Sequence, residues 1–246
     1  MLHFLKDHPF AVEAFFEHSL VLTFALPKET LENQIPECLE LDTFQDQWAF
    51  VAIALVQTKH LRPKGIPKFL GNNFFLIGYR VFVRYHDSRG KRLRGLYILK
   101  SETNKKKMEF FGNIFTHYNY TTTDISQSVG NEQIKISSTK SDFGFTLNTA
   151  NKEADLPVTS PFSNWKEARR FAGPLPFTFT YTPSSKKVLI IEGVRQFWKP
   201  QPVEVLDYRF SFLAQEKFEG HQLANAFMVS QIPYQWKKGR VEIWNQ

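Results

Sequence analysis

Apolar and polar residues alternate along most of this chain. Over residues 19–26, Leu20, Leu22, Phe24 and Leu26 fall on one face, the period-2 pattern of a strand. Residues 48–57 are apolar at both parities, with Trp48, Phe50, Ala52, Ala54 and Val56 set against Ala49, Val51, Ile53 and Leu55. A strand covered on both faces belongs inside a sandwich or in the wall of a filled barrel. Residues 74–86 form a long strand, and Asp87-Ser88-Arg89-Gly90 followed by a return strand through Lys100 predicts a β-hairpin. Further alternating stretches lie at 121–129, 133–139, 143–149, 177–182, 187–197, 203–213 and around 226–230, with a turn at Gly130-Asn131.

Helical spacing interrupts this pattern in four places. Val12, Phe15 and Phe16 recur at helical intervals over 9–18, and Pro9 is placed to open a helix. Residues 28–35 lie between Pro27 and Pro36, a short helix with a start and a stop. Met108, Phe111, Gly112 and Phe115 predict a helix over 105–118. Asn164 and Glu167 have the spacing of a capping box at the start of a helix over 164–171. Pro63, Gly65, Pro67 and Gly71 mark 60–71 as a loop. No linker or internal repeat divides the chain. The expectation is therefore one β-rich domain over 1–246, α+β by count, with many long antiparallel strands and a few short helices.

Composition narrows the class. The chain has 246 residues, of which 42% are hydrophobic and 15% aromatic, enough for a core that needs neither metal nor disulfide. Cys38 is the single cysteine, which excludes an internal disulfide and a Cys-rich zinc site. Lys6 and Asp7 break the first segment before an apolar run of signal-peptide length develops, and 48–56 is far shorter than the ~20 residues of a membrane-spanning helix. A cytoplasmic protein without membrane partners is expected. The formal charge of +7 comes from short separated groups, at 89–94, 105–107, 169–170, 186–187 and 237–240, rather than a continuous stripe. Such a distribution describes a solvated basic surface better than a nucleic-acid face.

Short motifs add little chemistry. Asp142-Phe143-Gly144 spells a kinase metal-binding triplet without its companion loops, and Ser137-x-x-Lys140 and Ser184-x-x-Lys187 lack the partner motifs of a Ser-Lys nucleophile. The seven histidines show no helical zinc spacing, so no metal is expected, and no cofactor-binding glycine loop is present. What remains is a set of charges within apolar strands. Arg80 and Arg84 share a face with Leu76 and Phe82, Glu192 interrupts Val188-Leu189-Ile190-Ile191, and Asp207 and Arg209 lie in another strand. A charge facing the core is costly unless paired. These side chains either pair with one another or point to solvent, or some of them line a cavity and orient a ligand.

Four segments carry a resemblance: Leu61-Arg62-Pro63-Lys64-Gly65-Ile66-Pro67, Gly78-Tyr79-Arg80-Val81-Phe82-Val83-Arg84, Arg94-Gly95-Leu96-Tyr97-Ile98-Leu99, and Gly112-Asn113-Ile114-Phe115-Thr116-His117-Tyr118-Asn119-Tyr120. Together with His8-Pro9-Phe10-Ala11-Val12-Glu13-Ala14-Phe15-Phe16 they resemble a bacterial family of conserved uncharacterised proteins, grouped with the acetoacetate-decarboxylase-like superfamily. The resemblance implies a large coiled antiparallel sheet closing around a cavity. Acetoacetate decarboxylase activates a Schiff-base lysine with a second cation beside it, in a Gly-x-Pro-Lys-Lys signature. The counterpart here is Gly112-Asn113-Ile114-Phe115-Thr116, in which Phe115 and Thr116 replace both lysines.

The first functional expectation is a small-molecule-binding protein of unassigned chemistry, its cavity lying between the sheet and the helix at 105–118. Arg80 is the candidate anion anchor, with Asn113, Thr116 and His117 as hydrogen-bonding groups near it. His117 is also the candidate acid or base if a reaction is catalysed. The alternative is a nucleic-acid or interaction module built on the hairpin 79–97, where Arg80, Arg84, Arg89, Lys91, Arg92 and Arg94 mix with Tyr79, Phe82, Tyr85 and Tyr97. The direction of those aromatics separates the two: inward favours a cavity, outward favours bases. The missing lysine pair yields a first prediction. Borohydride treatment in the presence of acetoacetate leaves the intact mass unchanged, and a stable lysine adduct would contradict it.

Overall fold

The computed structural model describes residues 3–130, 132–150, 154–196 and 198–245. Its strands are β1 (Val12–Pro27), β2 (Glu40–Leu41), β3 (Trp48–Pro63), β4 (Asn72–His86), β5 (Arg92–Thr103), β6 (Tyr120–Thr122), β7 (Ser126–Val129), β8 (Gln133–Ser138), β9 (Phe143–Asn148), β10 (Phe177–Thr182), β11 (Lys187–Arg195), β12 (Gln201–Pro202), β13 (Glu204–Phe210), β14 (Gln222–Trp236) and β15 (Arg240–Ile243). Four helices accompany them: α1 (His3–Lys6), α2 (Lys28–Glu32), α3 (Lys106–Phe115) and α4 (Trp165–Ala172).

Seven long strands close into a ring in the order β14-β1-β3-β4-β5-β10-β11, and β11 pairs back onto β14. Neighbours are antiparallel except at β5–β10, where the pairing is parallel. A second antiparallel sheet, ordered β13-β9-β8-β7, packs against one face of the ring. Phe143, Phe145, Leu147, Ile136 and Phe210 of that sheet share a core with Leu22, Phe24, Ile53, Leu55, Ile77, Tyr79 and Val81 of the ring. The opposite parity of the same strands, including Ala52, Ala54, Val56, Leu76 and Phe82, faces an internal cavity. That division explains why β3 is apolar on both faces: one meets the second sheet and the other the cavity.

The expected helix over 9–18 is corrected by the structure, which begins β1 at Val12. Pairing with β3 shifts register between Glu13 and Phe15 and again between Phe16 and His18. At the second shift β1 carries one extra residue, Glu17, so the cavity-facing set changes from Val12 and Phe16 to Ser19 and Val21 and strict alternation is lost. Tertiary pairing on both sides, to β3 and to β14, decides the matter. The expected loop over 60–71 is shorter than predicted, because β3 runs on through Pro63 after a further bulge at 58–61. The strand expected over 187–197 ends at Arg195, with Gln196 in a bend; residue 197 lies outside the described residues.

Local signals elsewhere match their elements. Asp87 Oδ1 accepts from the backbone N–H groups of Arg89 (3.1 Å) and Lys91 (2.9 Å), and Gly90 takes φ +74°, closing the predicted hairpin. Asn164 caps α4 by accepting from Glu167 N at 3.0 Å, while the Glu167 carboxylate reaches past the cap to Ser163 N at 2.7 Å.

Most of the charges embedded in the sheets are paired. Arg84 and Arg94 stand directly opposite one another on β4 and β5, a repulsive placement. Asp42, only 2% exposed, lies between them: Arg84 Nε donates to its Oδ1 and Arg94 Nε to its Oδ2, both at 2.6 Å. Arg94 also stacks on Phe171 and donates to its carbonyl at 2.9 Å, tying α4 to the ring. Glu192 pairs with Lys237 and Arg209 with Asp142. Removing the bridging carboxylate leaves two facing cations, so Asp42→Ala is expected to destabilise the protein by about 3 kcal/mol in urea denaturation at neutral pH.

Candidate functional site

The cavity inside the ring has a volume of about 450 Å³, within the range of small-molecule sites. Strands β1, β3, β4, β5, β10, β11 and β14 all contribute to its wall. Apolar side chains dominate, among them Val21, Val56, Phe74, Leu76, Phe82 and Phe227. Lys107 and Phe111 of α3 line the cavity and are also exposed, so this helix borders its opening.

Arg80 projects from the middle of β4 into this space. Its Nε is buried and has no hydrogen-bond partner, and no carboxylate among the described residues forms an ion pair with it. The guanidinium folds back along its own strand across Gly78. A methyl group at Gly78 would stand 2.7 Å from Arg80 Nε and 2.9 Å from Nη2, so glycine is what permits this pose.

Three phenols surround that cation. Tyr118, Tyr120 and Tyr234 all line the cavity. Burial raises their pKa values, that of Tyr120 to about 12, while the Arg80 charge opposes the rise in each. They therefore remain protonated at neutral pH and can donate hydrogen bonds. Thr178 lies near Tyr118 and Arg195 near Tyr234, and both moderate the rise that burial causes. Arg195, whose pKa burial lowers, lies over the Trp198 ring at 4.8 Å and donates to the Pro174 carbonyl at 2.5 Å. Two more glycines make room for these rings: a methyl at Gly112 would strike the Tyr120 ring, and one at Gly193 the Tyr234 hydroxyl.

The other candidate residues occupy different positions around this cluster. Thr116 lines the cavity; its Oγ1 donates to the Gly112 carbonyl at 2.8 Å and accepts from Tyr118 N at 3.3 Å. Asn113 is engaged with Tyr120, donating to its carbonyl at 2.9 Å and accepting from its N–H at 2.7 Å. His117 directs Nε2 toward Asp7 Oδ1 at 3.3 Å and is not among the cavity-lining residues. The segment Gly112 to Tyr120 thus works as a mount: its small and polar members hold the backbone so that Tyr118 and Tyr120 face inward. Sequence reasoning singled out the polar members and passed over the two tyrosines; they flank Asn119, whose φ of +50° turns the backbone, so strand alternation does not announce them. Nothing in the sequence pointed to Tyr234 or Arg195, which reach the site only through ring closure.

Other chemistries find less support in the geometry. No three His, Cys, Asp or Glu side chains among the described residues are grouped to hold a metal. Cys38 is buried, and burial pushes its thiol pKa up to about 12. Among the described residues, no helix is long and apolar enough to cross a membrane.

The fold of this chain is like that of acetoacetate-decarboxylase-like proteins of known structure. The structure of acetoacetate decarboxylase from Legionella pneumophila superposes with a TM-score of 0.61 at 10% identity, covering 95% of this chain and 88% of that one. An acetoacetate decarboxylase-like enzyme from Sphingomonas wittichii RW1 gives 0.58 at 10% identity, covering 97% and 94%. The enduracididine biosynthesis enzyme MppR complexed with pyruvate gives 0.55 at 8% identity, covering 95% and 90%. At such identities the likeness is one of fold. No curated protein matches the chain in sequence. The model of the DUF2071 family, described as an uncharacterized conserved protein, matches residues 13–241, and the chain belongs to that family.

The close approach of Gly193 to Tyr234 can be measured. Gly193→Ala is expected to cost about 1–3 kcal/mol by overpacking. Combining it with Tyr234→Phe, which removes the colliding oxygen, recovers part of that loss in a double-mutant cycle.

Proposed function

We propose that this protein binds a small organic anion within the ring, with Arg80 as the counter-charge and the phenols of Tyr118, Tyr120 and Tyr234 as hydrogen-bond donors. The observation that carries the reading is the unpartnered Arg80. Other strand-borne charges, such as Arg84, Arg94, Glu192 and Arg209, have a partner of opposite sign, whereas this one opens onto a cavity of ligand size. A guanidinium ringed by protonated phenols suits a carboxylate or a keto acid, whose oxygens accept in several directions. The binding of pyruvate by one protein of the same fold is consistent with that class.

Schiff-base decarboxylation is not part of the proposal. Phe115 and Thr116, which stand where the lysine pair is expected, both line the cavity, and the lysine among the lining residues, Lys107, is exposed. A Schiff-base lysine needs an apolar or cationic setting that keeps it unprotonated. The reading as a nucleic-acid module is disfavoured because Tyr79, Phe82 and Tyr85 of the hairpin are buried and cannot stack on bases.

Binding to the native state alone raises the melting temperature with ligand concentration, by an amount equivalent to about 2.7 kcal/mol at a hundred times Kd. A thermal-shift screen of small carboxylates, keto acids and phosphates is expected to yield at least one such stabiliser. The effect disappears in Arg80→Met, which keeps much of the side-chain length without the charge. Stabilisation that survives in the variant, or a screen in which no anion stabilises the wild type, removes Arg80 as the anchor.

A further inference from the structure

The cavity wall beside Arg80 is built in rows. Across β14, β1, β3 and β4 the register sets Phe227, Val21, Ala54 and Gly78 side by side, then Val229, Ser19, Val56 and Leu76, then Ile232, Phe16, Thr58 and Phe74. Four residues of strand separate the first row from the third, a distance of about 13 Å at the usual strand rise. The Arg80 guanidinium lies over Gly78 and so stands at the first row.

The rows differ in chemistry. The middle row presents Val56 and Leu76 to the cavity, with Ser19 beside them. In the third row Thr58, 1% exposed, lines the cavity, and its Oγ1 is buried without a hydrogen-bond partner. Beyond that row, ahead of the first residue of β1, His8 also lines the cavity, 6% exposed, with Nε2 buried and unpartnered. Burial lowers the His8 pKa to about 4, so the ring is neutral near pH 7 and offers a hydrogen-bonding nitrogen rather than a second cation. Buried polar atoms are ordinarily satisfied, and two that line the same cavity call for a partner inside it.

We propose that the ligand is an elongated amphipathic monoanion: an acid group at Arg80, an apolar chain along Val56 and Leu76, and a hydroxyl or carbonyl at the far end, facing Thr58 and His8. This rests on the anion-binding reading of the same cavity and specifies the class of ligand. The order of the three parts follows the wall, with the Arg80 charge first, apolar surface next and the unpartnered atoms of Thr58 and His8 last; Arg62, further along β3, is already paired with Glu13. A short keto acid satisfies the first part alone and leaves the rest of the chamber without a partner.

The test is calorimetric titration with acetate, butyrate, hexanoate, octanoate and 8-hydroxyoctanoate. Affinity is expected to climb roughly threefold to fourfold per methylene along the straight-chain acids. The hydroxy acid binds wild type at least as tightly as octanoate, because its hydroxyl finds Thr58 and His8 instead of an apolar wall. In Thr58→Val that preference reverses, with the hydroxy acid about tenfold weaker than octanoate. Val56→Trp, which plugs the middle row, keeps butyrate binding and loses the advantage of octanoate; Leu76→Phe serves as a milder plug if that variant does not fold. Equal affinities for acetate and octanoate would overturn the amphiphile while leaving the Arg80 anchor intact. A hydroxy acid weaker than octanoate in wild type, with no change in Thr58→Val, would overturn the polar far end. Failure of every acid to bind would overturn the anchor and this inference together.

Discussion

Closure of the ring is the constraint on which the rest of the structure depends. β14 pairs along most of its length with β1 and then, through Tyr234, Gln235 and Trp236, with Arg195, Val194 and Gly193 of β11. The seam is reinforced where Lys237 N donates to the Glu192 carbonyl at 2.9 Å and the Lys237 ammonium meets the Glu192 carboxylate. Closure removes the free edges that a long sheet would otherwise present. It also brings Tyr234 and Arg195 to the cavity that Arg80 enters, although these residues come from three strands far apart in sequence. An open sheet of the same strands would have a core against its second sheet but no enclosed space and no site.

The enclosed space places demands on side-chain size. Gly78, Gly112 and Gly193 each stand where a Cβ would meet a side chain of the cavity: the Arg80 guanidinium, the Tyr120 ring and the Tyr234 hydroxyl. In none of the three is a left-handed backbone the reason for glycine. The reason is close approach, the same reason glycine occurs wherever a large group must lie flat against a strand or helix. The cavity cluster is thus crowded behind, which limits the positions open to Arg80 and the phenols.

Charge is distributed with similar economy. Asp42 reconciles two arginines that face each other across β4 and β5, and Glu242 accepts from the Tyr85 hydroxyl and the Ser88 amide while meeting Arg240. Tyr79 and Ser141 both donate to Glu102, joining the ring to the segment that leads into β9. These buried carboxylates are anchored by several donors and serve the architecture. Against that background Arg80 and Arg195, both lining the cavity, have no carboxylate partner among the described residues, and Arg80 Nε also lacks any hydrogen bond.

The sequence alone determined the β-rich class, the hairpin around Asp87 to Gly90, the helices α2, α3 and α4, and the candidacy of Arg80. Each of these is written in neighbouring residues, through alternation, turn chemistry, capping or a charge lodged in an apolar strand. The motif from Gly112 to Tyr120 was legible as a unit, and its meaning was not, because hydrogen bonds from Asn113 and Thr116 to the backbone of Tyr120, Gly112 and Tyr118 leave no local pattern. Only the tertiary structure decided that Val12 to His18 is strand, since the alternation is irregular there and pairing with β3 and β14 fixes the extended conformation. Only the closed ring decided which polar residues share a cavity. Arg80, Arg195 and Tyr234 come to line one cavity through registers between distant strands, and such registers depend on the packing of both faces of the sheet rather than on any stretch of chain.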